Sequence, residues 1–175
     1  MIMISATPEQ IALVNGGIGD EWEIVRALDA VGLGHRDEQQ RFAPSIERLL
    51  ANQSAIVRGT ALKVLLGFWG LEPGRLVERA VAILGRYDED PDERREAAFA
   101  LALFAERYAA PIERDRIVRA LVASLDREPD ARAQESTYNA IHQILKGETA
   151  PFPPDGLPFD RDRDADEALL GPYRG

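Results

Sequence analysis

Hydrophobic residues recur every three or four positions along most of this chain. The clearest run is Asp90–Arg107, in which Ala97, Leu101 and Phe104 share one face of a helix. The run opens with Asp-Pro-Asp. An Asp side chain accepts hydrogen bonds from the free N–H groups of a first turn, and Pro at the first helical position brings a preset φ. This segment therefore predicts a helix with a well-defined start.

The same kind of helix opening occurs four times. In each copy an Asp or Asn precedes an arginine by five or six positions, and a helical pattern follows. The four arginines are Arg26, Arg58, Arg95 and Arg132, and they are separated by 32, 37 and 37 residues. A period in this range predicts an array of helix pairs.

A second apolar segment with helical periodicity precedes each of these openings. The four segments are Gln10–Val14, Phe42–Leu50, Leu76–Leu84 and Ile117–Leu125. No stretch combines alternating apolar positions with hairpin turns, so the chain is predicted to be all-α. Pro44 is expected in the first turn of the third helix, because Pro is favoured at the start of a helix.

The repeated unit resembles the HEAT-repeat family, whose second helix opens with Asp-x-x-x-x-Val-Arg-x-x-Ala. The pattern matches well around Arg26 and Arg58. It matches in part around Arg95, where Arg94 replaces the Val, and weakly around Arg132. The resemblance covers about residues 7–146. It implies a right-handed α-α superhelix, or solenoid, of about four HEAT-like helix pairs.

This interpretation divides the chain into two regions. The helical repeat domain spans residues 1–147, with pairs at about 7–34, 40–70, 73–108 and 111–147. An extended acidic and Pro-rich tail follows at 148–175. It contains seven acidic and three basic residues, and its prolines prevent a long helix over most of its length. A segment of this composition can be disordered, but its apolar side chains favour partial docking on the helices.

In the HEAT family, Asp and Arg side chains form a ladder between neighbouring repeats. The resemblance therefore assigns a structural role to Asp20, Arg26, Asn52, Arg58, Arg95, Asp126 and Arg132. The alternative reading, in which these arginines bind an anionic ligand, stays open. The family binds partners on the concave face that its second helices line. Projection of the 3.6-residue period from the reference arginines gives a candidate set of exposed partner-binding residues, which are Thr60, Lys63, Glu96, Ala100, Gln134 and Thr137.

Composition and charge limit the classes of partner that this chain is expected to bind. The formal net charge is −9, which disfavours non-specific binding of DNA or RNA and is compatible with a basic protein or peptide. There is no cysteine, hence no disulfide framework and no thiolate metal site. The longest uninterrupted apolar run is nine residues, against about 20 for a membrane helix. A soluble, cytoplasmic protein without membrane association is expected.

Catalytic chemistry has little support in the sequence. The two histidines, His35 and His142, lie in different repeats, and no zinc-protease motif, phosphate loop or nucleophile elbow is present. Neither a catalytic residue nor a cofactor is predicted. Trp22 and Trp69 are both expected to be buried rather than exposed as interface anchors.

These observations favour a non-catalytic protein-binding module. One concrete form is an acidic inhibitor of the immunity or antitoxin type. The alternatives are a HEAT-like enzyme or enzyme subunit, for example of the lyase type, and a self-assembling structural element.

Overall fold

The chain folds into a consecutive series of helices, seen here in a computed structural model that describes residues 6–34, 36–151 and 157–174. The described residues contain no strand, so the all-α prediction is confirmed. The helices are α1 Pro8–Gly16, α2 Glu21–Gly32, α3 Arg36–Leu49, α4 Ala55–Leu62, α5 Pro73–Leu84, α6 Pro91–Arg107, α7 Pro111–Leu125, α8 Ala131–Lys146, α9 Arg161–Asp164 and α10 Glu167–Leu170. Helix α4 continues directly into a π-helical segment, Lys63–Phe68, and a 3₁₀ turn, Gly171–Tyr173, follows α10.

Helix boundaries follow the local capping signals. Thr7 and Gln10 form the reciprocal capping box of α1, and Asp90 accepts from the backbone N–H of Asp92 at the start of α6. Gly17 and Gly147 end α1 and α8 in the left-handed conformation, with φ of 61° and 76°. Glycine adopts this conformation without steric cost, which is why these helices stop there.

Helix α3 begins earlier than its sequence pattern predicts. It starts at Arg36, and Pro44 lies inside it rather than in its first turn. The second pair therefore begins before residue 40, the predicted start. Pro44 removes one helical hydrogen bond, but the buried side chains of Phe42 and Ile46 hold this part of α3 against the core. Tertiary packing here outweighs the local preference of proline.

The helices pack in the order of the chain. The first helix of each pair packs on the helix that follows it: α1 on α2, α3 on α4, α5 on α6 and α7 on α8. The second helices of the pairs also contact one another in sequence, from α2 to α4 with its π segment, then to α6 and to α8. One continuous core runs through these contacts, and its largest fully buried side chains include Leu28, Leu62, Leu66, Leu101 and Leu121.

Glycine allows the second helices to approach closely. A Cβ added at Gly59 would lie 2.6 Å from Glu96 Cβ, and one added at Gly67 would lie 3.1 Å from Leu103 Cβ. Trp69, which follows the π segment, connects that segment to the end of α2, because its indole N–H donates to the carbonyl oxygen of Gly32 at 3.1 Å. The predicted burial of Trp69 is confirmed, since only 6% of it is exposed.

The described part of the tail docks on the last helix pair. Phe159 and Leu170 are buried, and the Phe159 ring lies 5.4 Å from the ring of Tyr138 on α8. The Tyr138 hydroxyl accepts from the backbone N–H of Asp166 at 2.9 Å. The tail is therefore not extended throughout, as the sequence suggested, because α9, α10 and the 3₁₀ turn fold its second half into short helical turns.

Charged contacts fix the docked tail. Arg161 and Arg174 both donate to the Asp126 carboxylate at the end of α7, at 2.9 and 3.0 Å from their Nη2 atoms. Both also form ion pairs with Glu167, and side chains of this network are 22–54% exposed. The C-terminal end of the helix series is thus covered by residues of its own chain.

Candidate interaction surface

The six candidate partner residues lie on the second helices, but most are not accessible. Glu96 and Gln134 are half-buried. The predicted exposure is wrong for the other four, which are buried: Thr60, Lys63, Ala100 and Thr137. The inner second helices have neighbours on both sides, so only a narrow strip of each one faces solvent. Periodicity on a single helix does not contain this information.

Lys63 instead joins three second helices through charge. Its Nζ atom is 2.9 Å from Asp29 Oδ1 on α2 and 2.9 Å from Glu96 Oε2 on α6. The Lys63 side chain is 9% exposed, whereas that of Asp29 is 41% exposed. The cluster of these three residues carries a net charge of −1 and opens to solvent on its Asp29 side.

The electrostatics of this cluster keep the lysine charged. Burial of the Lys63 ammonium lowers its pKa, but the attraction of Glu96 and Asp29 outweighs that effect and leaves the pKa above the usual lysine value. A lysine with a raised pKa is an ion-pairing group at neutral pH and a poor nucleophile.

An exposed aromatic ring borders the same cluster. Phe99 on α6 is 43% exposed, and its ring centroid lies 5.9 Å from Lys63 Nζ. An aromatic face beside a partly open carboxylate suits a cationic group of a partner, because both features attract positive charge. Thr60 lies three positions before Lys63, on α4. Its buried Oγ1 atom has no hydrogen-bond partner within the described part of the chain.

A ladder between pairs does exist, and its first step is Arg58. The guanidinium donates through Nη1 to the carbonyl oxygens of Asn52 at 3.0 Å and Gln53 at 2.9 Å. Its Nε donates to the carboxylate of Glu93 on α6 at 3.0 Å, and Nη2 contacts the same carboxylate. The side chain of Arg58 thereby fastens its own loop to the next second helix.

The second step repeats this geometry at Arg94. Its Nη1 donates to the carbonyls of Arg86 and Glu89 at 2.8 and 2.7 Å. Its Nε and Nη2 form a two-point contact with the carboxylate of Glu128, at 2.7 and 2.8 Å. Both side chains are almost fully buried, with 3% and 0% exposed.

The sequence assigned this step to Arg95, and that assignment is wrong by one residue. Arg95 donates to Asp92 at 2.7 Å and lies 3.4 Å from the Ser136 hydroxyl. The error comes from aligning the repeats on Asn52, whereas Ser54 occupies the N-cap position of α4. Counted from the N-cap, the ladder residue comes four positions later in α4 and in α6.

This spacing also explains Gln134. The N-cap of α8 is Asp130, and Gln134 lies four positions later. Its side-chain Nε2 donates to the carbonyl oxygen of Glu128 at 2.6 Å, as the arginines do in their own loops. Gln134 therefore occupies the ladder position of the last pair rather than a partner-facing one. The sequence pattern did not identify Glu93 and Glu128 as partners of these arginines. Their role can be recognised only once the N-caps of the helices are known.

The remaining ladder candidates have other roles or exposed positions. Asp20 is the N-cap of α2 and accepts from the Trp22 N–H at 3.0 Å. Asn52 accepts from the Ser54 N–H at 2.9 Å, and Asp126 holds the tail as described above. Arg26 and Arg132 are exposed. Trp22 is 51% exposed, so its predicted burial is wrong.

The loops inside the pairs form an acidic edge of the molecule. Ser54 Oγ donates to Glu21 at 2.6 Å, and the two arginine steps continue the row through the next loops. Arg58 and Arg94 point inward and are neutralised there. Apart from Asp126, which holds the tail, six exposed acids lie along this edge: Asp20, Glu21, Glu23, Asp88, Glu89 and Asp90. The exposed basic residues along it are Arg86, Arg127 and Arg132.

Catalytic groups do not converge in the described residues. His142 Nδ1 lies 3.0 Å from the carbonyl oxygen of Glu148, where it closes the turn after α8, and His35 lies outside the described residues. Over residues 6–34, 36–151 and 157–174, no three His, Asp or Glu side chains form a group that could hold a metal ion.

Comparison of the chain with protein-family models, curated proteins and solved structures finds no match. Within the described part of the chain, no helix has both the length and the apolar character needed to cross a membrane.

Proposed function

We propose that this protein is a non-catalytic binding module that recognises a basic protein or peptide. Its helix pairs form a right-handed solenoid of the HEAT-like kind, with about four units. Two observations support the repeat interpretation: the second helices pack on one another in chain order, and Arg58 and Arg94 each join carbonyls of their own loop to a carboxylate of the next pair.

The acidic edge is the observation that carries the proposal. Its exposed acids outnumber its exposed basic residues, because the two central arginines are used internally. A partner with a complementary positive surface gains association rate and orientation from such an edge. The partly open Asp29 carboxylate and the exposed Phe99 ring offer a second contact point for a cationic side chain.

A concrete form of this function is an inhibitor of the immunity or antitoxin class, in which a small acidic protein covers a basic surface of its target. A toxin gene beside the gene for this protein would support that form. The protein is expected to act in the cytoplasm.

The test is a capture experiment on native cell extract with two charge-matched variants. The edge variant carries Asp88→Lys and Glu89→Lys, and the control carries Glu78→Lys and Asp115→Lys on the first helices α5 and α7. All four positions are exposed, and each variant changes the net charge equally.

The expected result is a basic protein retained by wild type and by the control but lost from the edge variant. Retention by the edge variant would overturn the acidic edge as the binding site. Capture of nucleic acid or of a small molecule alone would overturn the proposed function itself.

A further inference from the structure

The two ends of the helix series differ in how they are covered. At the C-terminal end, Phe159, Leu170 and the Asp126 network of the tail lie on the last pair. At the N-terminal end, α1 and the start of α2 leave Ile18 85% exposed and Trp22 51% exposed. A repeat array buries its outer faces through atypical terminal units, and an uncovered terminal face tends to associate.

The N-terminal end, as residues 6–34 form it, contains an open apolar depression of about 650 Å³. Its apolar lining comes from Ala12, Leu13, Gly16 and Ile18. Leu13 lies over the loop, since a Cβ added at Gly19 would be 2.8 Å from Leu13 Cδ2. The depressions at the other end are instead lined largely by charged and tail residues.

The rim of this depression carries both signs of charge. Glu9, Glu23 and Arg26 border it, and none of them takes part in an ion pair between described residues. A two-fold interface places the same patch on both subunits, so each patch must supply its own complementary groups. This rim meets that condition, because Arg26 of one copy can face Glu9 or Glu23 of the other.

We infer that this N-terminal end, formed by α1, the Gly17–Asp20 loop and the first turns of α2, is the interface of a homodimer with two-fold symmetry. The occupant of the depression is a second copy of this chain, with Ile18 buried in it, the exposed Trp22 covered beside it, and the Glu9, Glu23 and Arg26 charges paired at the rim. The tail prevents the alternative of end-to-end stacking, since it covers the face that a head-to-tail contact would need.

The test is analytical ultracentrifugation of the full chain at about 5 and about 200 µM, since association shows as a dependence of mass on concentration. Wild type is expected to approach twice the 19.4 kDa mass of one chain at the higher concentration. Ile18→Asp is expected to remain monomeric. Ile112→Asp is the control, since Ile112 is equally exposed, at 86%, but lies at the start of α7.

A charge exchange tests the rim directly. Arg26→Glu is expected to weaken association at least tenfold, because three acids then meet three acids across the interface. Combining Arg26→Glu with Glu23→Arg is expected to restore it. All positions are exposed, so circular dichroism should show unchanged helix content in each variant.

Three results would overturn the inference: a monomeric wild type at both concentrations, a dimer that survives Ile18→Asp, or a dimer lost in Ile112→Asp. Asp88 and Glu89, which test the acidic edge, lie outside this interface, so the mass measurements and the capture experiment can fail separately.

Discussion

Arginine–carboxylate ion pairs occur both in the seams, which are the contacts between neighbouring helix pairs, and on the docked tail. The pairs of the first region are buried, whereas those of the tail are exposed to solvent. Arg94 and Glu128 meet in a seam with 3% and 0% of their side chains exposed, whereas Arg174 and Glu167 meet on the tail with 31% and 54% exposed. Removing one partner from a buried pair leaves an uncompensated charge in a medium of low polarity. Surface pairs are screened and contribute little. The seams should therefore set global stability, and the tail should come off without unfolding the helices.

The largest effect is expected from Glu128→Gln. It leaves the buried Arg94 guanidinium without its counter-charge, at a cost of about 3–5 kcal/mol in the free energy of unfolding. Urea unfolding followed by circular dichroism measures this change. Glu78→Gln is the control, because it breaks the exposed contact with Arg116 and should change the free energy of unfolding far less. Equal losses in both variants would contradict the distinction between buried and exposed pairs.

The next effect is expected from Lys63→Met, which leaves Asp29 and Glu96 facing each other across the seam. A loss of about 2–4 kcal/mol is expected at neutral pH, and Lys146→Met on the exposed end of α8 should change stability little.

The pH dependence of Lys63 has a defined sign. Because its folded-state pKa is raised above the unfolded value of 10.5, its contribution is fully present below that value. The contribution disappears as the pH rises through the folded pKa. Above neutral pH, the stability difference between wild type and Lys63→Met should therefore shrink only in strongly alkaline solution. A difference that shrinks between pH 7 and 9 would contradict the ion-pair role.

A smaller effect is expected from Gly59→Ala. The new Cβ would lie 2.6 Å from Glu96 Cβ and 3.4 Å from Glu93 Cα, so α4 and α6 must separate, at a cost of about 1–3 kcal/mol. Gly74→Ala in α5 meets nothing within 4 Å and should instead stabilise its helix by up to about 1 kcal/mol. Thermal unfolding of the two variants should give shifts of opposite sign.

The smallest change in global stability is expected from Asp126→Asn, which weakens both arginine contacts of the tail. Hydrogen exchange of residues 160–174 should accelerate, while exchange in α4 and α6 stays unchanged. About 1 M salt should accelerate tail exchange in wild type as well, because it shortens the screening length to about 3 Å. A loss of protection in α6 would show that the tail supports the seams after all.

The repeat signal in the sequence predicted the helices well and the site poorly. Capping residues such as Thr7, Asp90 and Gly147 act within one turn, so the starts and ends of their helices are readable from neighbouring residues. The ladder needed one more fact, namely that Ser54 rather than Asn52 occupies the N-cap of α4. Without it the second step falls on Arg95 instead of Arg94.

The solvent exposure of single side chains could not be predicted from the local sequence pattern. Thr60 and Lys63 are polar and lie on the strip where a lone amphipathic helix would face water. Both are nonetheless buried, because α2 and α6 approach α4 and its π segment from either side. Trp22 shows the converse error, since a large aromatic residue at the end of the series has no neighbouring pair to cover it.

The sequence by itself determined the all-helical class, most helix boundaries and the acidic balance, because these depend on neighbours along the chain and on composition. Only the tertiary structure decided which charges are buried between helices, which end of the series the tail covers, and which acids remain exposed at the acidic edge. Those properties arise from contacts between residues about 30 to 50 positions apart, as between Arg94 and Glu128 or between Asp126 and Arg174. A periodic pattern fixes which face of a helix is apolar, but the packing of its neighbours decides how much of the polar face still meets water.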